Sequence, residues 1–398
     1  MTASRELDRA ALVISYSDIA NDPRVRRQID WLVSTGMRVD TLGLGARPPE
    51  KVRSHFTIDA LPRWASTLWG AALIHLLLPG SLQFRILGSS RIPRELRARL
   101  VDGGYDVAVF NEYEFTPWPS DRRLFDPERM RIHLDLHEFR EPGRRGRSRW
   151  ARLTQRHYRW VRRHIGSSAF TSRSTVSSGI AAQYEHEFGF APMTVIRSTP
   201  DYVDQQPSDV DPEHIRLLYH GMAAWSRGLP QIAQAVAGLP DRFDMTFMLT
   251  EPRSQIDRLR SLIDELGIAS RARIVPAVPM REVAQRINEY DLELIFFPPI
   301  STNIEFALPN KIFEAIQGRL GLVIGRSPML VDVVERYGNG VIAEGWDPED
   351  LRAALDSLDA EHIRRLKLAS ASAALELNAE REGEAFLRAL DLLEHGLR

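Results

Sequence analysis

Short apolar runs alternate with longer amphipathic stretches along most of this chain. The runs have the length of buried strands, and the stretches between them carry apolar residues every three or four positions, as helices do. The runs form two sets, one in each half of the chain: 12–16, 39–44, 106–110, 132–136 and 194–197, then 215–220, 245–249, 273–275, 292–297 and 322–325. This alternation predicts an α/β protein with parallel sheets and helices on both faces.

A polar segment separates the two halves. Residues 201–213 contain two prolines and four aspartates but little apolar content, which is typical of a linker. We therefore expect an N-terminal domain at 1–200, a linker at 201–213 and a C-terminal domain at 214–373. The pattern of 374–398 predicts a C-terminal helix, which could pack back on the N-terminal domain. Because ligands of such sheets bind outside the carboxyl ends of the strands, we expect the site in a cleft between the halves.

Composition narrows the function classes. With 398 residues, 43% hydrophobic and 26% charged, the chain can form two ordinary globular cores. Its formal net charge of -1 argues against a nucleic-acid partner. The absence of cysteine excludes disulfides, thiolate metal sites and a cysteine nucleophile.

Targeting signals are not evident. The first residues lack the apolar core of a signal peptide, and the most apolar run, Leu68 to Leu78, is shorter than the roughly 20 residues of a membrane span. We expect a cytoplasmic protein, with peripheral contact to the inner face of the membrane as an open alternative.

The segment from Ala307 to Glu314 carries the strongest chemical signal. Pro309 suits the start of a helix, and Lys311 and Glu314 then share one face of that helix. A cation and a carboxylate beside a helix N-terminus suit a ligand with a diphosphate at one end and a diol at the other. A sugar nucleotide is such a ligand.

A second phosphate-binding element is predicted after the strand at 215–220. Gly221 opens a loop that leads through Arg227 into a helix, and a guanidinium matches phosphate oxygens well.

The C-terminal half resembles the nucleotide-binding domain of glycosyltransferase family 4, the retaining sugar-nucleotide transferases of GT-B fold. The matching motifs are Tyr219-His220-Gly221, Arg227-Gly228, Ala307 to Glu314, and Ser327 to Gly340. The resemblance implies an α/β GT-B fold, with two Rossmann-like, doubly wound domains that face each other across a cleft.

By this resemblance, Glu314 holds the ribose hydroxyls of the donor, and Arg227 contacts its diphosphate, to which we also assign Lys311. The predicted nucleotide-binding residues are Gly221, Arg227, Asn303, Pro309, Asn310, Lys311 and Glu314. The family's earlier glutamate position is Phe306 here, and its second basic residue is Ala223.

The N-terminal half resembles the same family at two strand ends. Asp22 and Pro23 can cap and begin a helix, and Arg24 in its first turn is a candidate for an acceptor or cleft contact, as is Asp22. His137 ends a strand in the family's Asp-x-His-Glu pattern and is a candidate for contact with the donor sugar. Two further acceptor or cleft candidates are Asn111 and Glu138.

A basic amphipathic helix is predicted between Arg140 and Arg163. Its arginines recur every three or four residues, beside a stripe that begins with Trp150: Arg149, Arg152, Arg156, Arg159 and Arg163. The pattern fits an anionic membrane surface, and it fits a solvated face equally well. Trp64, Trp69 and the leucines near them slightly favour the membrane.

Together these features predict a retaining glycosyltransferase that moves a sugar from a nucleoside diphosphate sugar to an acceptor hydroxyl on a glycan, a lipid-linked molecule or a small molecule. Polysaccharide biosynthesis is one setting for such an enzyme. We name His137, Arg227, Lys311 and Glu314 as catalytic. We expect no cofactor and no metal, because the family uses a cationic clamp. A sugar-nucleotide epimerase of GT-B fold and a non-catalytic sugar-nucleotide-binding assembly subunit remain alternatives.

Overall fold

The computed structural model describes residues 9–142 and 148–393; the side chain of Arg149 is also outside the description. The ends of the predicted N-terminal domain and C-terminal helix, and part of the arginine-rich segment, therefore lie outside the described residues. By their contacts, the residues form two units. Unit 1 comprises Met1–Val176, Ile180–Ile196 and Gly383–Arg398, and unit 2 comprises Ser177–Gly179 and Arg197–Glu382.

Unit 1 is built on a parallel sheet of seven strands in the order β3-β2-β1-β4-β5-β6-β7. The strands are β1 (Ala10–Asp18), β2 (Arg38–Leu44), β3 (Ser54–Thr57), β4 (Val107–Asn111), β5 (Arg131–Leu136), β6 (Ser172–Thr175) and β7 (Thr194–Val195). The helices are α1 (Pro23–Ser34), α2 (Leu68–Leu77), α3 (Gly80–Leu87), α4 (Arg94–Val101), α5 (Arg149–Arg162) and α6 (Ser178–Phe188).

Unit 2 is built on a parallel sheet of six strands in the order β10-β9-β8-β11-β12-β13. The strands are β8 (Ile215–Met222), β9 (Phe243–Thr250), β10 (Ala272–Pro276), β11 (Leu292–Ile295), β12 (Gly321–Ile324) and β13 (Gly340–Ile342). The helices are α7 (Leu229–Ala237), α8 (Arg253–Glu265), α9 (Val283–Arg286), α10 (Thr302–Glu305), α11 (Asn310–Gln317), α12 (Pro328–Tyr337), α13 (Pro348–Asp356), α14 (Ala360–Ala373) and α15 (Ala379–Ala389), of which α15 continues into unit 1.

The predicted strands are all present, and three strands were missed: β3, β6 and β13. β6 has the sequence Ser-Arg-Ser-Thr, so it carries no apolar run although Ser174 and Thr175 are fully buried. Thr175 instead donates a 2.7 Å hydrogen bond to the backbone oxygen of Leu136 on β5. A buried strand can thus be held by hydroxyl groups, which a search for apolar runs does not detect.

The segment predicted as a linker, residues 201–213, is part of unit 2 and is hydrogen-bonded to the rest of it. The Gln205 side chain donates to the backbone oxygen of Gln317 at 2.7 Å, and Arg319 donates to the backbone oxygens of Val203 and Gln205. The polar groups of residues 201–213 therefore form hydrogen bonds with other parts of unit 2.

The described part of the C-terminal segment reaches unit 1. On α15, Phe386 is fully buried, and its ring centroid lies 5.4 Å from that of Trp31 on α1. None of the helices within the described ranges is both long and apolar enough to cross a bilayer.

Candidate functional site

The main candidate site is a cavity of about 560 Å³ in unit 2. It lies where β8, β9 and β10 end and α11 begins, so it occupies the edge at which parallel α/β sheets bind their ligands. Six of the seven predicted nucleotide-binding residues line it: Gly221, Arg227, Pro309, Asn310, Lys311 and Glu314. The seventh, Asn303, lies on the four-residue helix α10 and is not part of this lining among the described residues.

Lys311 is buried at the floor of this cavity. Its Nζ lies 3.5 Å from the centroid of the Tyr219 ring and has no hydrogen-bond acceptor among the described residues. Burial lowers the pKa of Lys311 to about 8, and the charge of Arg227 acts in the same direction. Such an ammonium group, stripped of water, is a strong site for an anionic ligand.

The Glu314 carboxylate contacts a buried histidine, which in turn contacts a buried glutamate. The Nε2 atom of His220, on β8, lies 2.8 Å from Glu314 Oε2. Its Nδ1 atom lies 3.0 Å from Oε2 of Glu293, a fully buried residue on β11. Burial opposes the charge of His220, but Glu293 and Glu314 outweigh it and raise the pKa of His220 to about 9. A protonated imidazole therefore orients the Glu314 carboxylate.

His220 and Glu293 were not predicted as site residues, although His220 belongs to the motif Tyr219-His220-Gly221. The signal for Glu293 is a carboxylate inside an otherwise apolar strand, which needs a buried partner. The partner follows from the sheet, because Leu218 pairs with Glu293 across β8 and β11 and so brings His220 within reach.

Arg227 lies in the turn between β8 and α7, half-buried, with its guanidinium 5.4 Å from the centroid of the Phe297 ring. The next residue, Gly228, has a positive φ of 77°, and a Cβ there would lie 1.6 Å from the backbone oxygen of Phe296. Only glycine can occupy this position, because the turn passes so close to the backbone of Phe296. The turn therefore fixes where Arg227 enters the cavity.

A buried polar network lies in unit 1, at the carboxyl ends of its central strands. Its centre is Asp135, which is fully buried and accepts hydrogen bonds from Arg24 Nε and Nη2 at 2.7 Å each. Gln28 and Ser174 donate to the same carboxylate at 2.6 Å. Burial acts to raise the pKa of Asp135, but Arg24 and His137 hold it well below its usual range. Arg24, a predicted cleft residue, thus has a buried structural partner.

His137 extends from this network. Its Nε2 lies 3.2 Å from both Asp135 Oδ2 and Asn111 Oδ1, and its backbone N–H donates to Glu112 Oε1 at 2.9 Å. Burial opposes protonation, but the hydrogen bond to Asp135 and the charges of Asp135 and Glu112 together outweigh it and raise the pKa of His137. The side chain is about one-fifth exposed, which leaves the ring able to donate a hydrogen bond to a ligand.

Two other predicted residues have local partners. Asp22 caps α1 by accepting from Val25 N at 3.3 Å and from Ser17 Oγ at 2.8 Å. Glu138 is exposed and lies 3.3 Å from Arg140. Among the described residues, no group of three or more histidine, aspartate or glutamate side chains has the geometry of a metal site.

No protein-family model matches this sequence, and no curated protein sequence matches it. Solved structures do match in fold. Sucrose-phosphate synthase from Thermosynechococcus elongatus is 14% identical with a TM-score of 0.65, and the match covers 97% of this chain and 100% of that one. HepE from Anabaena, in complex with UDP and glucose, is 13% identical with a TM-score of 0.66 over 97% of this chain and 100% of HepE. WaaG, a glycosyltransferase involved in lipopolysaccharide biosynthesis, is 14% identical with a TM-score of 0.63 over 97% of this chain and 100% of WaaG. This likeness, together with the two parallel sheets, confirms the predicted α/β class: the chain has the GT-B fold of these proteins.

Proposed function

We propose that this protein is a retaining glycosyltransferase of family 4 that transfers a sugar from a nucleoside diphosphate sugar to an acceptor hydroxyl. One observation carries the proposal. In the cavity of unit 2, the ammonium of Lys311 has no hydrogen-bond acceptor among the described residues, while Glu314 lies on the same helix face and Arg227 lines the same cavity. That combination suits a diphosphate joined to a ribose.

The chemistry needs the leaving diphosphate to be stabilised as the glycosidic bond breaks. Lys311, Arg227 and the N-terminus of α11 place positive charge where that negative charge develops. We assign this work to the cationic clamp, with no metal and no cofactor. Glu314, oriented by His220, accepts hydrogen bonds from the ribose hydroxyls. The complex of HepE with UDP and glucose supports a donor of this class.

His137 of unit 1 is assigned to the donor sugar. The imidazolium keeps Nε2 bonded to Asp135, and Nδ1, which lies 3.7 Å from Glu112 Oε1, can donate to a sugar hydroxyl. Retention then follows from front-face transfer, in which the leaving phosphate helps to remove the proton of the acceptor hydroxyl. Asn111 supports the ring through its 3.2 Å contact with Nε2.

We also propose that the protein works in the cytoplasm at the inner face of the membrane. On α5, Arg152, Arg156 and Arg159 are exposed. On α2, Leu68 and Trp69 are 81% and 87% exposed, which is unusual for apolar side chains on a helix. Basic and apolar side chains side by side are the features of an interfacial surface.

Sedimentation with vesicles tests this location. We expect the protein to bind vesicles of anionic phosphatidylglycerol at low salt, and to be released as salt screens the arginines. The variant Trp69→Ser should bind more weakly, whereas Leu375→Ser, which changes an exposed leucine of unit 2, should bind as the wild type does. Absence of binding at low salt would refute the membrane part of the proposal.

Thermal unfolding with nucleotides tests the donor site. UDP, GDP, ADP, TDP and CMP are each added to the wild type and to Glu314→Ala. A ligand at 100 times its Kd stabilises by about 2.7 kcal/mol, a shift of several degrees. We expect one diphosphate to raise the Tm of the wild type and to lose this effect in Glu314→Ala, but not in Glu265→Ala at the exposed end of α8. No shift with any nucleotide would refute the assignment of Lys311 and Glu314.

Product analysis then separates transfer from the alternatives. The donor sugar that carries the identified nucleotide is incubated with and without a panel of hydroxyl acceptors, and products are followed by NMR. A retaining transferase gives a glycoside of unchanged anomeric configuration only when an acceptor is present. An altered sugar nucleotide without acceptor would identify an epimerase, and binding without turnover would identify a binding subunit.

A further inference from the structure

Unit 1 contains a second cavity, of about 260 Å³, that the donor chemistry does not use. Tyr16 near the end of β1 and Phe115 after β4 line one side of it, so it reaches the carboxyl edge of the sheet. The helices α2, α3 and α5 supply the other walls. A ligand at this edge lies where α/β sheets bind their substrates.

The lining is mostly apolar. Phe84, Leu87, Phe115 and Trp150 contribute to its walls. The guanidinium of Arg91, also in the lining, is already engaged, since it donates to the Tyr16 hydroxyl at 2.9 Å and to the backbone of Asp59. Glu114, His75 and His157 also line the cavity, but most of its wall area is apolar. Apolar wall area gains free energy when it buries a hydrocarbon.

A basic groove lies on another side of α5. It has a volume of about 640 Å³ and is lined by the start of α3 and by four arginines: Arg152, Arg156, Arg159 and Arg163. The same helix thus presents Trp150, Thr154 and Val161 to the apolar cavity and a row of guanidinium groups to the groove. Guanidinium groups bind phosphate oxygens in pairs, so the groove suits an anionic head group.

The helix α2 contributes one residue to the cavity wall and carries exposed apolar side chains. His75 of α2 lines the cavity, and its ring centroid lies 5.9 Å from that of Trp150, which is half exposed. On the same helix, Leu76 and Leu77 are exposed. Exposed apolar side chains of α2 therefore directly follow a residue of the cavity wall in the sequence.

We propose that this cavity holds the hydrocarbon chain of a membrane-anchored acceptor, and that the arginine groove binds the phosphate of its head group. The inference rests on the proposed function, since it names the acceptor class of the same enzyme: an anionic amphiphile that carries the reacting hydroxyl. The charge of the groove and the apolar walls of the cavity match the two ends of such a molecule.

Calorimetric titration with three probes below their micelle concentrations tests the proposal. Decyl phosphate has both the chain and the charge, butyl phosphate lacks most of the chain, and decyl glucoside lacks the charge. We expect decyl phosphate to bind at least about tenfold more tightly than either of the others, because each buried methylene and the phosphate add to affinity. Equal affinities for decyl and butyl phosphate would overturn the proposal, since only a surface anion site would then be present.

Variants locate the binding. Leu87→Glu places a carboxylate at a half-buried position of the cavity wall, and Thr154→Leu fills the cavity with an apolar side chain. Each should lower the affinity for decyl phosphate by about tenfold. The double variant Arg156→Glu and Arg159→Glu should lower the affinity for decyl phosphate but leave the affinity for decyl glucoside unchanged. Leu375→Glu in unit 2 is the matched control. Wild-type affinity in both cavity variants would overturn the proposal.

The nucleotide titration of the same samples separates the two proposals. All these variants should keep the diphosphate-induced Tm shift, because none changes the cavity of unit 2. A wild type that binds decyl phosphate but no nucleotide would overturn the proposed function and the acceptor role, and would leave an amphiphile site. A wild type that binds nucleotide but not decyl phosphate would overturn this inference alone.

Discussion

Buried charges in this protein differ in what neutralises them. Asp135 lies against Arg24, and Lys367 lies 3.1 Å from Asp291, so each of these charges has an opposite charge beside it. Lys311 instead faces the ring of Tyr219. Lys311 forms no direct ion pair within the described ranges, and burying such an ammonium is costly, so the position makes physical sense when an anion binds there.

The first prediction concerns this lysine and pH. Burial holds the pKa of Lys311 at about 8 in the ligand-free protein, and a bound diphosphate favours the charged form, so its pKa rises on binding. We expect the Kd of UDP, or of the diphosphate identified above, to be constant from pH 7 to about 8 and then to rise by up to about tenfold per pH unit. Titration calorimetry measures it.

The variant Lys311→Arg is the control, because a guanidinium keeps its charge throughout this range. In Lys311→Arg the Kd should change little with pH, and in His220→Gln the Kd should still rise above pH 8. A wild-type Kd that does not change between pH 8 and 10 would contradict the assignment of Lys311 to the phosphates.

The second prediction concerns His133, which is fully buried between the hydroxyls of Ser172 and Ser174 at 2.8 Å. Burial lowers its pKa to about 4, whereas it is about 6.5 in the unfolded chain. As pH falls from 6.5 to 4, the unfolded state takes up the proton first, so stability present above pH 6.5 is lost, by up to about 3 kcal/mol.

Urea unfolding of the wild type and of His133→Gln between pH 4 and 8 measures this loss. We expect the wild type to lose more stability than the variant over that range, because glutamine does not titrate. Parallel curves for the two proteins would show that His133 is not the group responsible.

At the scale of elements, the strand ends determine which side chains meet. In unit 1, Asn111 pairs with both Ser15 and Asp135, and Asp135 pairs with Ser174, so four polar residues align across four neighbouring strands. α1 follows β1 after a short turn at Ile19–Asn21 and brings Arg24 to Asp135. Parallel pairing thus converts isolated polar residues into one network.

The third prediction concerns the start of α1. Asp22 satisfies the backbone N–H of Val25, so Asp22→Ala should lower the free energy of unfolding by about 1 kcal/mol. Asp22→Asn, whose side chain can still cap α1, should lose less stability. Chemical denaturation measures both. Because we assign Asp22 to the cap, the Kd of the nucleotide should stay within about twofold of the wild type, and a much larger change would indicate a direct role in the site.

At the scale of the whole molecule, the chain crosses between the units more than once. It passes from unit 1 to unit 2 near Arg197, and it returns at Gly383 within α15. The second half of α15 completes the core of unit 1, where Phe386 and Leu390 pack with residues of β1, β4 and α1. The fold of unit 1 therefore depends on residues that follow unit 2 in the sequence.

The fourth prediction tests this dependence. Phe386→Ala should lower the stability of unit 1 by about 3–5 kcal/mol, because it removes a fully buried aromatic side chain. Nucleotide binding by unit 2 should be unchanged. Urea unfolding followed by tryptophan fluorescence measures the stability, with Phe386→Leu as the milder variant. Wild-type stability in Phe386→Ala would show that α15 contributes little to unit 1.

Local sequence patterns were enough to predict the class of the fold and part of the lining of the cavity in unit 2. Apolar runs located the inner strands, and Pro309 and Lys311 indicated a helix N-terminus with a cation, since periodicity and backbone angles depend on neighbouring residues alone. The structure has that helix beginning at Asn310 and places Lys311 and Glu314 in one cavity.

Contacts between groups that are distant in the sequence depend on how the strands are arranged in each sheet. Arg24 binds Asp135 across 111 residues of sequence, and His220 binds Glu314 across 94. The order of strands in a sheet sets such pairs, and no local pattern encodes it. For the same reason the apolar cavity beside Trp150 was not predicted, because its walls come from α2, α3, α5 and two strand ends that come together only when unit 1 folds.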